Sequence, residues 1–272
     1  MRKFDMGAAW DDSVLLLKSH NALTATIAAV FLFLPTLAVS WFGPVPIEPA
    51  DTATFDQVMT AARESAMQAA PYQVLISIVA AIGGVGILRL WLSRAGTSVG
   101  DALVFALKMI PTMIAVQLLL GVGVGFAAVL LIMPGIAAGG GAIGVLLLLI
   151  GVLLFIALCL YLWGRLAVVS PVLVDRTLYN PLTAIQESWR LTKDNGWRIC
   201  LFLFLVTLVV VIVAVLLGGV VAAVVGTGDG VGRMLTGLVE GGVAAIGGLV
   251  SAAIVAATYR QLASGDPDNI FG

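Results

Sequence analysis

The chain has 272 residues, of which 61% are hydrophobic and only 11% are charged. Soluble domains carry roughly a quarter of charged residues, so this composition excludes a water-soluble globular protein and predicts one that needs lipid. The formal net charge of −1 provides no overall positive field, and we therefore expect no nucleic acid as a partner.

Six apolar stretches are long enough to cross a membrane as helices, for which about 20 apolar residues are needed. They lie at about residues 22–42, 72–92, 110–133, 142–164, 199–225 and 236–259. We therefore predict an all-α fold, a polytopic membrane helical bundle with six transmembrane helices, forming a single membrane domain over residues 1–272.

The segment between the first two spans carries a helix signal of its own. Thr54 and Gln57 have the spacing of a capping box, and an apolar face follows at helical intervals. We predict a short, separate helix on the outer surface, either as a lid over a cavity or as a connector.

Basic residues indicate the orientation of the spans. With the N-terminus in the cytoplasm, all basic residues except Arg63 and Arg233 lie on the cytoplasmic side. Positive charge accumulates in cytoplasmic loops of membrane proteins. We therefore predict that both termini are cytoplasmic.

A threefold internal pattern follows, in which a capped amphipathic stretch runs into a span and a second span returns. The third copy is clearest: Asn180 can cap a helix, Pro181 suits its first turn, and Trp189 belongs to its apolar stripe. On its polar face, Glu187 and Arg190 are three residues apart and can pair. We predict three hairpins, each preceded by an amphipathic inner-surface helix, as units of about 5–95, 98–170 and 180–262.

Small residues recur at a four-residue spacing that lets membrane helices approach closely. These positions are Gly121/Gly125, Gly140/Gly144 and Gly237/Gly241/Ala245. We expect helix contacts there, although the abundance of glycine produces some matches by chance.

The stretch NPLTAIQESWRLTKDNGWR, from Asn180 to Arg198, resembles the signature of the glycerophosphoryl diester phosphodiesterase membrane-domain family. Many members are stand-alone bacterial inner-membrane proteins without an assigned activity, so the resemblance implies that location. Fused catalytic domains in other members depend on histidine and metal-binding carboxylates. With one histidine, His20, and no soluble stretch of sufficient size, this chain is not expected to be a phosphodiesterase.

Other chemical motifs give no support for catalysis. No His, Cys or acidic cluster has the spacing of a metal site, and the glycine-rich turn at 226–232 lacks the Gly-Lys-Ser/Thr ending of a phosphate loop. Ser77 and Ser251 have no recognisable base. We therefore predict no enzyme activity, no cofactor and no metal.

The candidate functional residues are basic and aromatic groups at span ends and polar groups inside spans. The basic and aromatic groups at span ends either attract anionic headgroups or only anchor the helices, and both interpretations stay open. The candidate anchors are Arg89, Trp91, Arg165, Trp189, Arg190, Lys193, Trp197, Arg198, Tyr259 and Arg260. The polar span residues are Gln117 and Glu240. For Glu240 three interpretations stay open: it lines a path for a cation or substrate, it pairs with Arg233, or it reaches interfacial water.

Three classes of function fit these features. The first is a non-enzymatic inner-membrane protein that handles or organises lipid or envelope components. The alternatives are a small-molecule or lipid transporter or channel, and an accessory subunit of a larger membrane complex. The expected partners are membrane lipids, and a membrane-protein partner or a second copy of the chain stays open.

Overall fold

The structure is a computed structural model that describes residues 3–19, 21–45, 47, 50, 52–93, 97–226 and 230–264, without the side chains of Asn21 and Val225. His20 and residues 227–229 of the glycine-rich turn lie outside the described residues.

Ten α-helices and one π-helical turn account for most of the described residues, among which there is no strand. They are α1 (Met6–Lys18), α2 (Asn21–Ala28), the π-helical turn (Ala29–Phe33), α3 (Leu34–Phe42), α4 (Phe55–Leu92), α5 (Val99–Ala137), α6 (Ala142–Leu166), α7 (Val169–Asp175), α8 (Pro181–Leu191), α9 (Gly196–Val225) and α10 (Val231–Ala263).

Within the described part of the chain, six helical segments are long and apolar enough to cross a membrane. They are Ala22–Phe42, Phe55–Leu92, Val99–Ala137, Ala142–Asp175, Gly196–Val224 and Val231–Ala263. The six predicted spans and the all-α class are therefore confirmed. The direction in which they cross the membrane stays a prediction.

The helix that contains the second span is longer than the sequence pattern predicts. α4 begins after the capping box, in which the Thr54 amide donates to Oε1 of Gln57 over 2.9 Å. It then continues without a break to Leu92, with Pro71 inside it. The prediction of a separate outer-surface helix is wrong: strong helix formers fill this segment, and the helix continues through Pro71, the one stop signal before the span. With 38 residues, α4 is about 57 Å long at 1.5 Å per residue.

The three proposed repeat units differ in how a span begins. α1 and α8 end before the next helix starts, whereas α5 is one helix from Val99 to Ala137. The second unit therefore lacks the break that the other two have. The threefold repeat itself stays a prediction.

Most buried side chains lie at one end of the bundle, which we call the packed end. It comprises α1, the last turns of α4, the first half of α5, α7, α8, the first turns of α9 and the last turns of α10. Its centre includes Ile87, Met109, Leu173, Ile199 and Ile254, all at most 1% exposed. By contrast, the later half of α5 and much of α6 and α9 expose large apolar side chains, as expected for helices covered by lipid.

The short helix α7 was not predicted. Five of its seven residues are buried, all except Ser170 and Asp175. Its apolar composition continues that of the fourth span, so hydropathy does not separate the two. The structure shows that α7 belongs to the core of the packed end.

Candidate functional site

Helix α8 has the cap that the sequence predicts. Oδ1 of Asn180 accepts hydrogen bonds from the amides of Leu182 at 3.0 Å and Thr183 at 3.4 Å, and Pro181 occupies the first turn. These bonds satisfy amides that have no partner inside the helix. The cap therefore fixes where α8 begins against the packed end.

Two hydroxyl groups join α8 to the end of α6. Ser188 and Thr192 are fully buried, and each donates to the carbonyl oxygen of Arg165 over 3.0 Å. This carbonyl lies in the last turn of α6, where intrahelical donors run out. Sequence analysis missed both hydroxyls, because a serine or threonine in a short helix carries no pattern that distinguishes a buried donor from an exposed one.

The side chain of Arg165 is buried against aromatic rings. Its guanidinium carbon lies 4.4 Å from the centroid of the Trp189 ring, and Tyr161 packs edge-on against the same ring at 5.8 Å. Arg165 is 6% exposed and its Nε is buried without a hydrogen-bond partner. Among the described residues, no carboxylate forms an ion pair with it.

Arg190, a candidate headgroup ligand, is paired within the protein. Its Nη2 lies 2.7 Å from Oε1 of Glu187 and its Nε lies 3.1 Å from Oε2, which confirms the predicted pair. Arg176 contacts the same carboxylate, with Nη1 at 2.6 Å from Oε1. Burial lowers the pKa of Arg176, but the hydrogen bond to Tyr259 and the charge of Glu187 outweigh burial and raise the pKa above its usual value.

Two aromatic candidates, Trp91 and Tyr259, lie in the core of the packed end rather than at its surface. The hydroxyl of Tyr259 donates to Oδ2 of Asp175 over 2.6 Å and so ties α10 to the end of α7. Nε1 of Trp91 is buried without a partner. Burial favours a packing role for both residues over contact with headgroups.

Arg89 connects three helices at the packed end. Its Nη1 donates to the carbonyl oxygen of Val174 over 3.1 Å, and its guanidinium lies 4.5 Å from the ring centroid of Phe105. It therefore joins the end of α4 to α5 and α7. These contacts give Arg89 a structural role in the bundle.

The start of α9 is attached to the segment before α1. The amide of Phe4 donates to Oδ1 of Asn195 over 2.9 Å, and Nη1 of Arg198 donates to the carbonyl oxygen of Phe4 over 3.4 Å. The Phe4 ring packs on Phe202 with 5.7 Å between centroids. The N-terminal segment is thereby held next to Arg198.

Two clefts open beside this attachment. The first, of about 370 Å³, is lined by Lys3, Phe4, Asp5, Met6 and Arg198. The second, of about 490 Å³, is lined by Lys3, Asp5, Ala8, Asp12, Ala257, Arg260, Gln261 and Ser264. Arg260, a candidate anchor, contributes an ion pair with Asp12 at 3.3 Å. Lys3 is common to both clefts, and sequence analysis missed it because it lies outside every predicted helix.

Three candidate anchors stand at the surface next to the first cleft. Lys193, Trp197 and Arg198 follow one another closely at the start of α9 and are exposed, with Trp197 at 68%. We call these three residues the α9 surface. It consists of one indole and two cations near the start of a span, and Arg198 also lines the first cleft.

The polar span residues are not part of this arrangement. Gln117 and Glu240 are both exposed. The proposed pair between Glu240 and Arg233 does not form, because Arg233 donates instead to the carbonyl oxygens of Ser40 at 2.8 Å and Gly43 at 2.6 Å. Arg233 therefore fixes the end of α3 to the start of α10.

The glycine pattern predicts helix contacts at three places, and the structure confirms one of them. A Cβ added at Gly237 or Gly241 would lie 2.6 Å from Trp41 or 2.9 Å from Phe33, respectively, so these glycines admit the first span. A Cβ at Gly121 would meet nothing within 4 Å.

The other glycines of the pattern likewise make no helix contact. A Cβ at Gly125 or Gly140 would meet nothing within 4 Å, and the nearest atoms to one at Gly144 belong to the preceding turn, at Ala138 and Gly139. Two helices approach closely only where a neighbouring helix lies beside the glycines, and the four-residue spacing does not show where that is. The prediction is therefore wrong for Gly121/Gly125 and for Gly140/Gly144.

Groups of three or more potential metal ligands are absent from the residues that the structure describes. Cys159 is half-buried and Cys200 is buried, and neither forms a disulfide.

Residues 145–257 match the family described as the membrane domain of glycerophosphoryl diester phosphodiesterase. The match contains the stretch from Asn180 to Arg198 and confirms the resemblance predicted from it. It covers α8, α9, most of α6 and α10, and the buried Arg165. No curated protein and no solved structure matches the chain.

Proposed function

We propose, from the match of residues 145–257 to this membrane-domain family, that the chain is a non-enzymatic protein that organises anionic lipid. The observation that carries the proposal is the α9 surface, in which Lys193, Trp197 and Arg198 are exposed and Arg198 lines a cleft with Lys3 and Asp5. Tryptophan favours the headgroup level. Each basic residue near an anionic membrane contributes about 1 kcal/mol of attraction.

The proposal includes a location in the bacterial inner membrane with the packed end on the cytoplasmic side. Its support is the distribution of basic residues, since Arg63 and Arg233 are the exceptions at the opposite end of the bundle. Anionic lipid headgroups on that side would then meet the α9 surface directly.

Arg190 is not assigned to this surface. Its guanidinium already has both Glu187 oxygens as partners, so a variant at Arg190 would report on that pair rather than on this surface. The informative variants are therefore Lys193→Gln and Arg198→Gln. Arg63→Gln is the matched control, because it removes the same charge from an exposed position at the opposite end.

The experiment measures lipid selection around the reconstituted protein. The protein is placed in nanodiscs of phosphatidylcholine and phosphatidylglycerol, and the lipids that remain after detergent extraction are identified by native mass spectrometry. We expect enrichment of phosphatidylglycerol that falls about fivefold in each α9 variant, which corresponds to about 1 kcal/mol, and is unchanged in Arg63→Gln. Enrichment that is absent, or insensitive to both α9 variants, would contradict the proposal.

The non-enzymatic part has its own test. Purified protein is incubated with glycerophosphodiesters, with and without added divalent cations. We expect no release of glycerol phosphate above a protein-free control. Turnover that scales with protein concentration would reject this part.

A transporter is a second candidate, favoured by one observation. The first span contains the π-helical turn Ala29–Phe33, followed by Pro35, which cannot donate to the carbonyl of Phe31. Such turns inside membrane helices are frequent at functional sites, and this one packs on Gly241. Solute flux into proteoliposomes that disappears in Gly241→Ala but not in Gly121→Ala would favour transport over lipid organisation.

A further inference from the structure

The buried cation of Arg165 is the feature that the proposed surface does not explain. A guanidinium keeps its charge at every physiological pH. Taking an ion out of water is unfavourable even after the protein has relaxed around it. Arg165 is 6% exposed, so most of this cost applies and a compensating interaction is required.

The protein supplies part of that compensation. The Trp189 ring, whose centroid lies 4.4 Å from the guanidinium carbon, attracts the cation through its quadrupole. The position of Arg165 in the last turn of α6 adds a favourable interaction with the helix dipole. Both interactions stabilise positive charge, but neither accepts a hydrogen bond.

One N–H group of Arg165 is left without an acceptor. Its buried Nε has no hydrogen-bond partner, and leaving such a donor unpaired destabilises the folded state. The neighbouring arginines differ in this respect, because Arg176 and Arg190 share the carboxylate of Glu187. No carboxylate in the described part of the chain does the same for Arg165.

We infer that Arg165 binds a phosphate group, which lies against Trp189 and Tyr161 at the end of α6. The planar guanidinium presents two parallel N–H groups that fit phosphate oxygens. Trp189 and Tyr161 are exposed, and we place the path of the phosphate to Arg165 past these two rings. The inference rests on the proposed function and names a fixed headgroup site within it. The phosphate belongs to a phospholipid or to a free anion, which share this chemistry.

The experiment compares purified wild-type protein with Arg165→Gln, Arg165→Lys and the control Arg190→Gln. The protein is washed in detergent until loosely bound lipid is removed, and the retained phospholipid is counted by native mass spectrometry. We expect one phospholipid per chain in the wild type, about tenfold lower occupancy in Arg165→Gln and an intermediate value in Arg165→Lys. Arg190→Gln is expected to keep the lipid.

A second arm separates the two sources of phosphate. Fully delipidated protein is titrated with inorganic phosphate while tryptophan fluorescence is recorded. A response that requires Arg165 in a protein that retains no lipid assigns the site to free phosphate. If retained lipid and the fluorescence response are both the same in wild type and Arg165→Gln, the inference is wrong.

A labelling measurement keeps the inference testable if Arg165→Gln does not fold. Phenylglyoxal modifies free guanidinium groups, and peptide mapping reports each arginine separately. In the wild type we expect Arg165 to be protected before delipidation and labelled at least about fivefold faster after it, with phosphate restoring protection. Equal labelling in all three conditions would overturn the inference.

The outcome is separable from that of the proposed function. Phosphatidylglycerol enrichment in nanodiscs depends on Lys193 and Arg198, whereas the retained molecule depends on Arg165. If phosphatidylglycerol is not enriched but the phospholipid that depends on Arg165 is retained, only the role of the α9 surface is rejected. If phosphatidylglycerol is enriched but no phospholipid depends on Arg165, only the Arg165 site is rejected.

Discussion

The contact between α6 and α9 at Gly164 provides the sharpest test of the packing. Gly164 is buried, and a Cβ added there would overlap the carbonyl oxygen of Gly196 and lie 2.8 Å from Cβ of Cys200. Two of its three nearest atoms are backbone atoms, which cannot rotate away as a flexible side chain can. Gly164→Ala therefore forces the two helices apart.

The expected loss follows from two opposing effects. Carbon atoms pack at about 3.5–4.0 Å, so the helices must separate by about 1 Å at this point. Overpacking of this kind costs about 1–3 kcal/mol. Replacing a helical glycine by alanine stabilises the folded state by about 0.5–1 kcal/mol, because the unfolded chain has less backbone entropy. The net expectation is a destabilisation of about 1–2 kcal/mol.

The control is the same substitution at Gly121, where a Cβ would meet nothing within 4 Å. Only the entropy effect applies there, so Gly121→Ala is expected to stabilise the protein by about 0.5–1 kcal/mol. Denaturant unfolding in one detergent, followed by circular dichroism, measures both. Changes of the same sign and similar size in the two variants would refute the packing argument.

Two further substitutions test local contacts. Tyr259→Phe removes the 2.6 Å hydrogen bond to Asp175 and the hydrogen bond with Arg176, and is expected to destabilise the protein by about 1–2 kcal/mol in denaturant unfolding, since both partners are partly solvated. Thr177→Gly is expected to stabilise it by about 1 kcal/mol in the same assay. Thr177 has φ of 53°, a left-handed conformation that is costly for a β-branched residue.

Each of these substitutions has a matched control. Tyr72→Phe alters an exposed tyrosine and should leave stability unchanged; equal losses in Tyr72→Phe and Tyr259→Phe would mean that the Asp175 bond contributes nothing. Thr183→Gly lies inside α8 and should be destabilising by about 0.5 kcal/mol. Destabilisation in both threonine variants would show that the left-handed backbone at Thr177 is not strained.

The six spans were predictable because lipid imposes a length and a composition on each one. The cap at Asn180 was predictable because its signal is local, with Pro181 directly after it. Local signals did not predict where a helix ends when its end depends on the segment that follows. The capping box at Thr54 is correct, yet nothing in it indicates that its helix continues into the membrane.

The candidate site was predictable in residue type but not in arrangement. From the pattern of arginines beside aromatic residues, Arg165, Arg190 and Trp189 were all predicted to be interface anchors, with no difference between them. The structure separates them, because Glu187 neutralises Arg190 while Arg165 is buried on Trp189. Distances between elements that are far apart in the chain determine this difference, and no local pattern carries them.

The concentration of buried residues at one end has a mechanical consequence. Large apolar side chains of α5, α6 and α9, among them Leu118, Leu153 and Val215, are exposed, so acyl chains rather than protein cover these faces of the helices. Lateral pressure and bilayer thickness then act on these helices directly. The composition of the membrane therefore becomes a determinant of the tertiary structure.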